Sequence, residues 1–187
     1  MRCFIAIDIG EEVRDNLADL QKQLKQTTGT GKGVKWTRPG SIHLTLKFLG
    51  EIERKESESV CKAVEKTASA HEKFDLQVEG VGSFGGKKPR VLWAGCNEGS
   101  EQLKKLQIAL GDELEKSGWA KDKRDFSPHL TLCRIKSGKE GKKLAKVPDE
   151  YKDWALGKIS VDELVVYESE LTPKGAVYTV LGSYELQ

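Results

Sequence analysis

The tetrapeptide His-Leu-Thr-Leu occurs twice in this chain, as His43-Leu44-Thr45-Leu46 and His129-Leu130-Thr131-Leu132, and only one further histidine is present. Ordinary residue frequencies put Leu-Thr-Leu after a given His roughly once in a few thousand cases. Two such hits among three histidines mean that the chain must build the same local setting twice. Strand alternation sends His and Thr to one face and the two Leu to the other. Each copy therefore anchors itself through Leu and presents an imidazole beside a hydroxyl. Two copies facing each other supply two acid/base groups and two phosphate-binding hydroxyls.

Hydrophobic periodicity places these copies in a chain of short elements. Residues 2–8 are apolar and β-branched and read as a buried strand. Residues 11–26 read as a helix, with Val13, Leu17, Leu20 and Leu24 as its stripe. A Gly/Thr loop at 27–33 and a short strand at 35–36 precede the first motif strand, 42–49. A second helix, 54–70, is followed by an alternating strand at 74–81, a turn at 82–89 and an apolar strand at 91–96. A third helix, 101–116, with Leu103, Leu106, Leu110 and Leu114 on one side, leads to the second motif strand, 128–135. Residues 136–146 form a basic, Gly-containing stretch read as a solvated loop, with an RNA-guiding surface as the sharper alternative. Strands at 159–168 and 176–186 close the chain.

This order predicts an α+β fold. The motifs lie 86 positions apart, near the same place in each half. The expected architecture is bilobal and pseudo-twofold: two small antiparallel sheets face each other across a central cleft, with helices outside. The whole of 1–187 is read as one such domain of two intertwined lobes.

Composition narrows the function classes. The formal net charge of +2 gives no strong field for duplex DNA, though it leaves room for a local basic cleft. Cys3, Cys61, Cys96 and Cys133 form no C-x-x-C pair and read as reduced thiols. No run approaches the roughly 18 apolar residues of a membrane helix, and the N-terminus does not read as a signal peptide. A cytoplasmic monomer is expected.

Histidine has an ordinary pKa near ~6.5, so one ring can take a proton while another gives one. A phosphodiester suits that division. Attacking water must lose a proton, and the leaving alkoxide must gain one on the opposite side. Thr45 and Thr131 can donate to the non-bridging oxygens, where fixed donors stabilise the transition state. Simple alternation sets Lys47 on the face of His43 and Thr45. The equivalent position in the second strand is Cys133, and the cation there, Arg134, falls one residue later. Arg134 reaches the site only where the strand ends or bulges. His71 reads as an exposed residue near a helix C-terminus, and Trp36 and Trp93 as core.

With these residues in view, the chain resembles the two-histidine phosphoesterase superfamily, and specifically the RNA 2′,3′-cyclic phosphodiesterase family, also called 2′-5′ RNA ligase. The paired His-x-Thr-x motifs carry the likeness. So do Phe4-Ile5-Ala6-Ile7, Leu46-Lys47-Phe48-Leu49-Gly50, Arg90-Val91-Leu92-Trp93-Ala94-Gly95, and the tail from Glu168 through Lys174 to Tyr178, so that it spans nearly the whole chain.

The resemblance implies opening of a terminal 2′,3′-cyclic phosphate on RNA to a 2′-phosphomonoester, without metal or cofactor. Reversible 2′-5′ ligation follows if a 5′-hydroxyl replaces water. By the family pattern His43 is the general acid and His129 the general base; the identical motifs do not distinguish them on their own. Thr45 and Thr131 would hold the phosphate, with Lys47, Arg90 and Arg134 as binding cations and Phe126 as a base-stacking platform. Cys133 stands where relatives often carry a smaller residue, and is expected to crowd the cleft. Partners are RNA ends, among them tRNA fragments, or nucleotides. Two alternatives are a non-catalytic RNA- or nucleotide-binding module and a phosphodiesterase of small cyclic nucleotide phosphates. A pure binder has no need of two titratable imidazoles.

Overall fold

Five consecutive buried side chains, Cys3 to Ile7, fill the first strand, β1 (Arg2–Ile7). A strand apolar on both faces has to lie inside a sheet with cover on each side. In the computed structural model, which describes residues 1–173 and 175–187, β1 is flanked by strands from opposite ends of the chain. Lys174 of the tail stretch lies outside the described residues.

After β1 come α1 (Gly10–Thr28), β2 (Val34–Trp36), β3 (Leu44–Glu51), α2 (Ser57–Ala68), β4 (Phe74–Phe84), β5 (Val91–Cys96) and α3 (Ser100–Lys116). They are followed by β6 (His129–Ile135), α4 (Gly138–Leu144), α5 (Val147–Glu150), β7 (Ala155–Val161), β8 (Glu163–Thr172) and β9 (Gly175–Glu185). Two antiparallel sheets result. The first has the order β3-β1-β8-β9, the second β2-β6-β5-β4-β7. The α+β expectation holds. The lobes exchange strands: β2, from the first half, edges the second sheet, and β8 and β9, from the end of the chain, complete the first.

Helix α1 buries Val13, Leu17, Leu20 and Leu24 and packs beside β7. Helix α3 buries the four leucines anticipated from its spacing and lies against α2. Among the described residues no helix is long and apolar enough to cross a membrane, and all four cysteines are free.

Two expectations change. Residues 159–168 are not one strand: β7 ends at Val161 in the second sheet, and β8 starts at Glu163 in the first. The β-branched run is continuous, but it crosses between sheets at Asp162. Residues 136–146 contain the helix α4 rather than a loop. Its buried Glu140 accepts a hydrogen bond from the Gly31 amide (2.8 Å) and pairs with Lys143 (3.2 Å), tying the helix to the loop before β2. Gly141 lets the helix lie close to the chain, since a Cβ there would stand 3.2 Å from the Pro89 carbonyl.

Candidate active site

The two motif strands carry the same irregularity. Along β3 the register with β1 runs Ala6↔Thr45 and then Ile5↔Lys47, which skips Leu46. Along β6 the register with β5 runs Trp93↔Thr131 and then Leu92↔Cys133, which skips Leu132. Each is a β-bulge, which re-aims every later side chain on its strand. Burial follows suit. Thr45 and Thr131 are half-buried, the next two residues in each strand are buried, and Phe48 and Arg134 are exposed.

The bulge decides which residues face the cleft. Arg134 comes round to the side of His129 and Thr131, which meets the condition the sequence left open. Lys47 is turned inward instead. It is 7% exposed, and its ammonium donates to the Ala120 carbonyl (2.8 Å) and pairs with Asp122 (3.0 Å). Lys47 still borders the cleft, but its ammonium is engaged by Ala120 and Asp122 instead of standing free beside Thr45 as alternation predicts. Cys133 is fully buried and does not crowd the cleft. Phe48, which alternation assigns to the core, is 69% exposed on the cleft wall.

Each bulge has a glutamine brace from the other half of the chain. The amide nitrogen of buried Gln21, on α1, donates to the carbonyls of Leu132 (2.9 Å) and Thr37 (2.8 Å), and the Thr37 amide donates to the same Leu132 carbonyl (2.9 Å). Gln107, on α3, donates to the Leu46 carbonyl at 3.4 Å. Gln21 and Gln107 are 86 positions apart, the spacing of the histidines themselves. Nothing in the hydrophobic pattern marks either residue. A search for further pairs at the motif offset would have found them.

Both histidines and both threonines line one cleft of about 1390 Å³. His43 sits in an aromatic cage. It stacks on Phe4 (4.7 Å between ring centres, 19° between planes) and meets the edge of Tyr178 (5.0 Å, 85°). Burial lowers its pKa to about 4, against the partial opposition of Asp8, whose carboxylate also pairs with Arg14. His129 is the more open ring. Phe84 meets it edge-on at 5.1 Å, and its Nδ1–H donates to the Ser127 carbonyl at 2.7 Å. That bond fixes the tautomer and leaves the Nε2 lone pair for a proton.

Of the other anticipated residues, Phe126 lines the cleft and Arg90 is exposed outside it. Arg90 serves through its main chain, donating to the Phe84 carbonyl and accepting from the Ile135 amide. His71 is half-buried, its Nδ1–H donating to the Thr67 carbonyl (2.7 Å). The lining includes seven Lys and Arg residues against two Asp, and Lys47 and Asp122 are paired with each other. The nearly neutral chain therefore concentrates its positive charge where a phosphate would enter, and low-dielectric walls focus that field. Among the described residues no group of three or more His, Cys, Asp or Glu is placed to hold a metal ion.

Known proteins resemble this chain over nearly its whole length. A family model described as the 2′-5′ RNA ligase superfamily matches residues 13–173. The chain is 33% identical over 187 residues to the RNA 2′,3′-cyclic phosphodiesterase of Methanothermobacter thermautotrophicus, covering 100% of this chain and 99% of that one. It is 34% identical over 188 residues to the protein of that name from Thermotoga maritima, covering 100% and 95%. A solved structure from Thermus thermophilus superposes with a TM-score of 0.79 at 29% identity, covering 100% of this chain and 98% of that one. E. coli LigT complexed with 3′-AMP shares the fold, with a TM-score of 0.79 at 23% identity and coverage of 99% and 97%.

Proposed function

This chain belongs to the 2′-5′ RNA ligase superfamily, and on that premise we propose that it opens the 2′,3′-cyclic phosphate at an RNA end to a 2′-phosphomonoester. The observation that carries the reading is the pair of identically bulged His-Leu-Thr-Leu strands lining one basic cleft.

Nε2 of His129 takes a proton from water as the water oxygen attacks phosphorus. The bond from phosphorus to O3′ breaks, and His43 gives its proton to that oxygen. The 2′ ester bond survives, leaving a 2′-phosphate beside a free 3′-hydroxyl. The tautomer held by the Ser127 carbonyl suits His129 for the base role. His43 is neutral in the empty cleft near pH 7, because burial lowers its pKa. An anionic phosphate beside the ring favours the charged form, so substrate charges the acid as it binds. Thr45 and Thr131 donate to the non-bridging oxygens, and Arg134 offsets their charge. Phe126 offers a face for the terminal base. Lys47 acts at one remove, by holding the loop around Ala120 and Asp122 against β3. A 5′-hydroxyl in place of water opens the same ring through the same groups, with O3′ again leaving, and the product is a 2′-5′ linkage. Both histidines come from one chain, so a single bilobal molecule, residues 1–187, is the working unit.

The test is a short RNA ending in a 2′,3′-cyclic phosphate, incubated with EDTA, with 2′- and 3′-phosphate products resolved. Wild type is expected to make the 2′-phosphate, and His43→Ala and His129→Ala to make almost none. RNA binding without turnover by the wild type would replace this reading with that of a binding module.

A further inference from the structure

The second motif strand has a neighbour that the first lacks. Strand β3 is the edge of its sheet, whereas β6 is covered by the three residues of β2. In that pairing Lys35 stands directly opposite Arg134. Residues opposite each other in an antiparallel pair project from the same face with Cβ atoms about 5 Å apart, and like charges so placed repel. Both side chains are exposed and both line the cleft. Among the described residues neither has a carboxylate within ion-pair distance. The residue facing Arg134 from its other side is Val91. Two cations are thus held together with no protein anion between them.

The pair is also firmly built. The Lys136 amide donates to the Gly33 carbonyl (2.8 Å), and the Thr37 amide to the Leu132 carbonyl, so β2 is pinned at both ends. Gly33 lies so close to α4 that a Cβ would stand 2.8 Å from the side chains of Glu140 and Ser137. The β6 bulge turns Arg134 to the Thr131 side, and Lys35 is the next cation outward towards the sheet edge.

We propose that Lys35 and Arg134 form a second phosphate subsite, which takes the phosphodiester immediately upstream of the RNA end. The inference rests on the cyclic phosphodiesterase reading only for the position of that end. Thr131 and Arg134 reach the terminal phosphate. Lys35 and Arg134 together hold the internal phosphate, and that anion relieves the repulsion between the two cations. The site therefore selects RNA ends over mononucleotides.

Binding separates this proposal from the chemistry. The ligands are a dinucleotide ending in a 2′-phosphate, which has one internal phosphodiester, and adenosine 2′-phosphate, which has none. Lys35→Ala is expected to lower the ratio of dinucleotide to mononucleotide affinity by about tenfold, the size of one charged hydrogen bond. It should also reduce the salt slope of dinucleotide binding by about 0.7, the value for one contact to a single strand. Lys35→Arg should restore both, and an unchanged melting temperature checks the exposed site. Arg134→Ala is expected to weaken both ligands. A ratio within twofold of wild type in Lys35→Ala, or an equal loss on both ligands, overturns the subsite. Absence of wild-type turnover on the cyclic end would instead overturn the reaction and leave the binding ratio to judge the subsite.

Discussion

The strands around His43 and His129 share sequence, bulge and glutamine brace, yet they offer different chemistry. The His43 ring is packed among Phe4, Tyr167 and Tyr178 and resists a positive charge. The His129 ring is held by one carbonyl and touches aromatics by their edges or at a tilt. After the bulge, the first strand presents a phenyl ring and the second a guanidinium. Repetition fixes where the two imidazoles stand, and the unrepeated neighbours fix what each can do.

The strongest way to break this comparison is to remove each ring. His43→Ala and His129→Ala are each expected to lower kcat by about 10²–10⁴, the usual range for one positioned acid or base. The double variant should lose far less than the product of the two, since groups that act in one step are not additive. Single-turnover rates on a cyclic-phosphate RNA measure all three. A full multiplicative loss would mean that the histidines do not act together.

Stability against pH sharpens it next. The folded pKa of His43, about 4, lies below the ordinary 6.5. The unfolded chain therefore takes up this proton first as pH falls. The native state loses up to about 3 kcal/mol between pH 6.5 and 4, with no further loss from this group below that. His43→Phe keeps the stack without the titration, so its melting temperature relative to wild type should rise over that interval. A constant difference would remove the aromatic cage as the cause. In the same protein, the ring-proton shift of His43 should report a higher pKa when a nucleotide 2′-phosphate is bound.

The braces come third. Gln21 is buried, with donated bonds of 2.8 and 2.9 Å, whereas Gln107 makes one at 3.4 Å. Gln21→Leu is expected to cost about 1–3 kcal/mol in urea unfolding, and Gln107→Leu less than about 1 kcal/mol. Equal losses would show that the bulges are supported alike after all. The smallest effect belongs to Phe48→Arg, which gives the first strand the exposed residue of the second. RNA affinity should change by only a few-fold, and its salt dependence should steepen.

Much of this was legible in the sequence. The duplicated motif located both strands, both threonines and the cleft, because identical local patterns ask for identical faces. The helices α1 and α3 followed from leucine spacing. What alternation could not supply was the bulge, a one-residue change in pairing that no propensity encodes. It moved Lys47 and Cys133 inward and brought Phe48 and Arg134 out. Helix α4 was hidden because Gly138 and Gly141 argue against a helix, while its support comes from Glu140 and the distant Gly31 amide. Arg90 is a binding cation only by resemblance, and its exposed side chain lies outside the cleft.

The central place of β1 bears on how the molecule is made. Its two flanking strands are β3, complete by Glu51, and β8, which ends at Thr172. During synthesis the first sheet keeps an unsatisfied apolar edge along β1 until nearly the whole chain has left the ribosome, roughly ten seconds or more at ordinary elongation rates. Throughout that interval the nascent chain carries an open strand edge suited to wrong pairing. A truncation that removes β8 is therefore expected to aggregate rather than yield a half-active lobe.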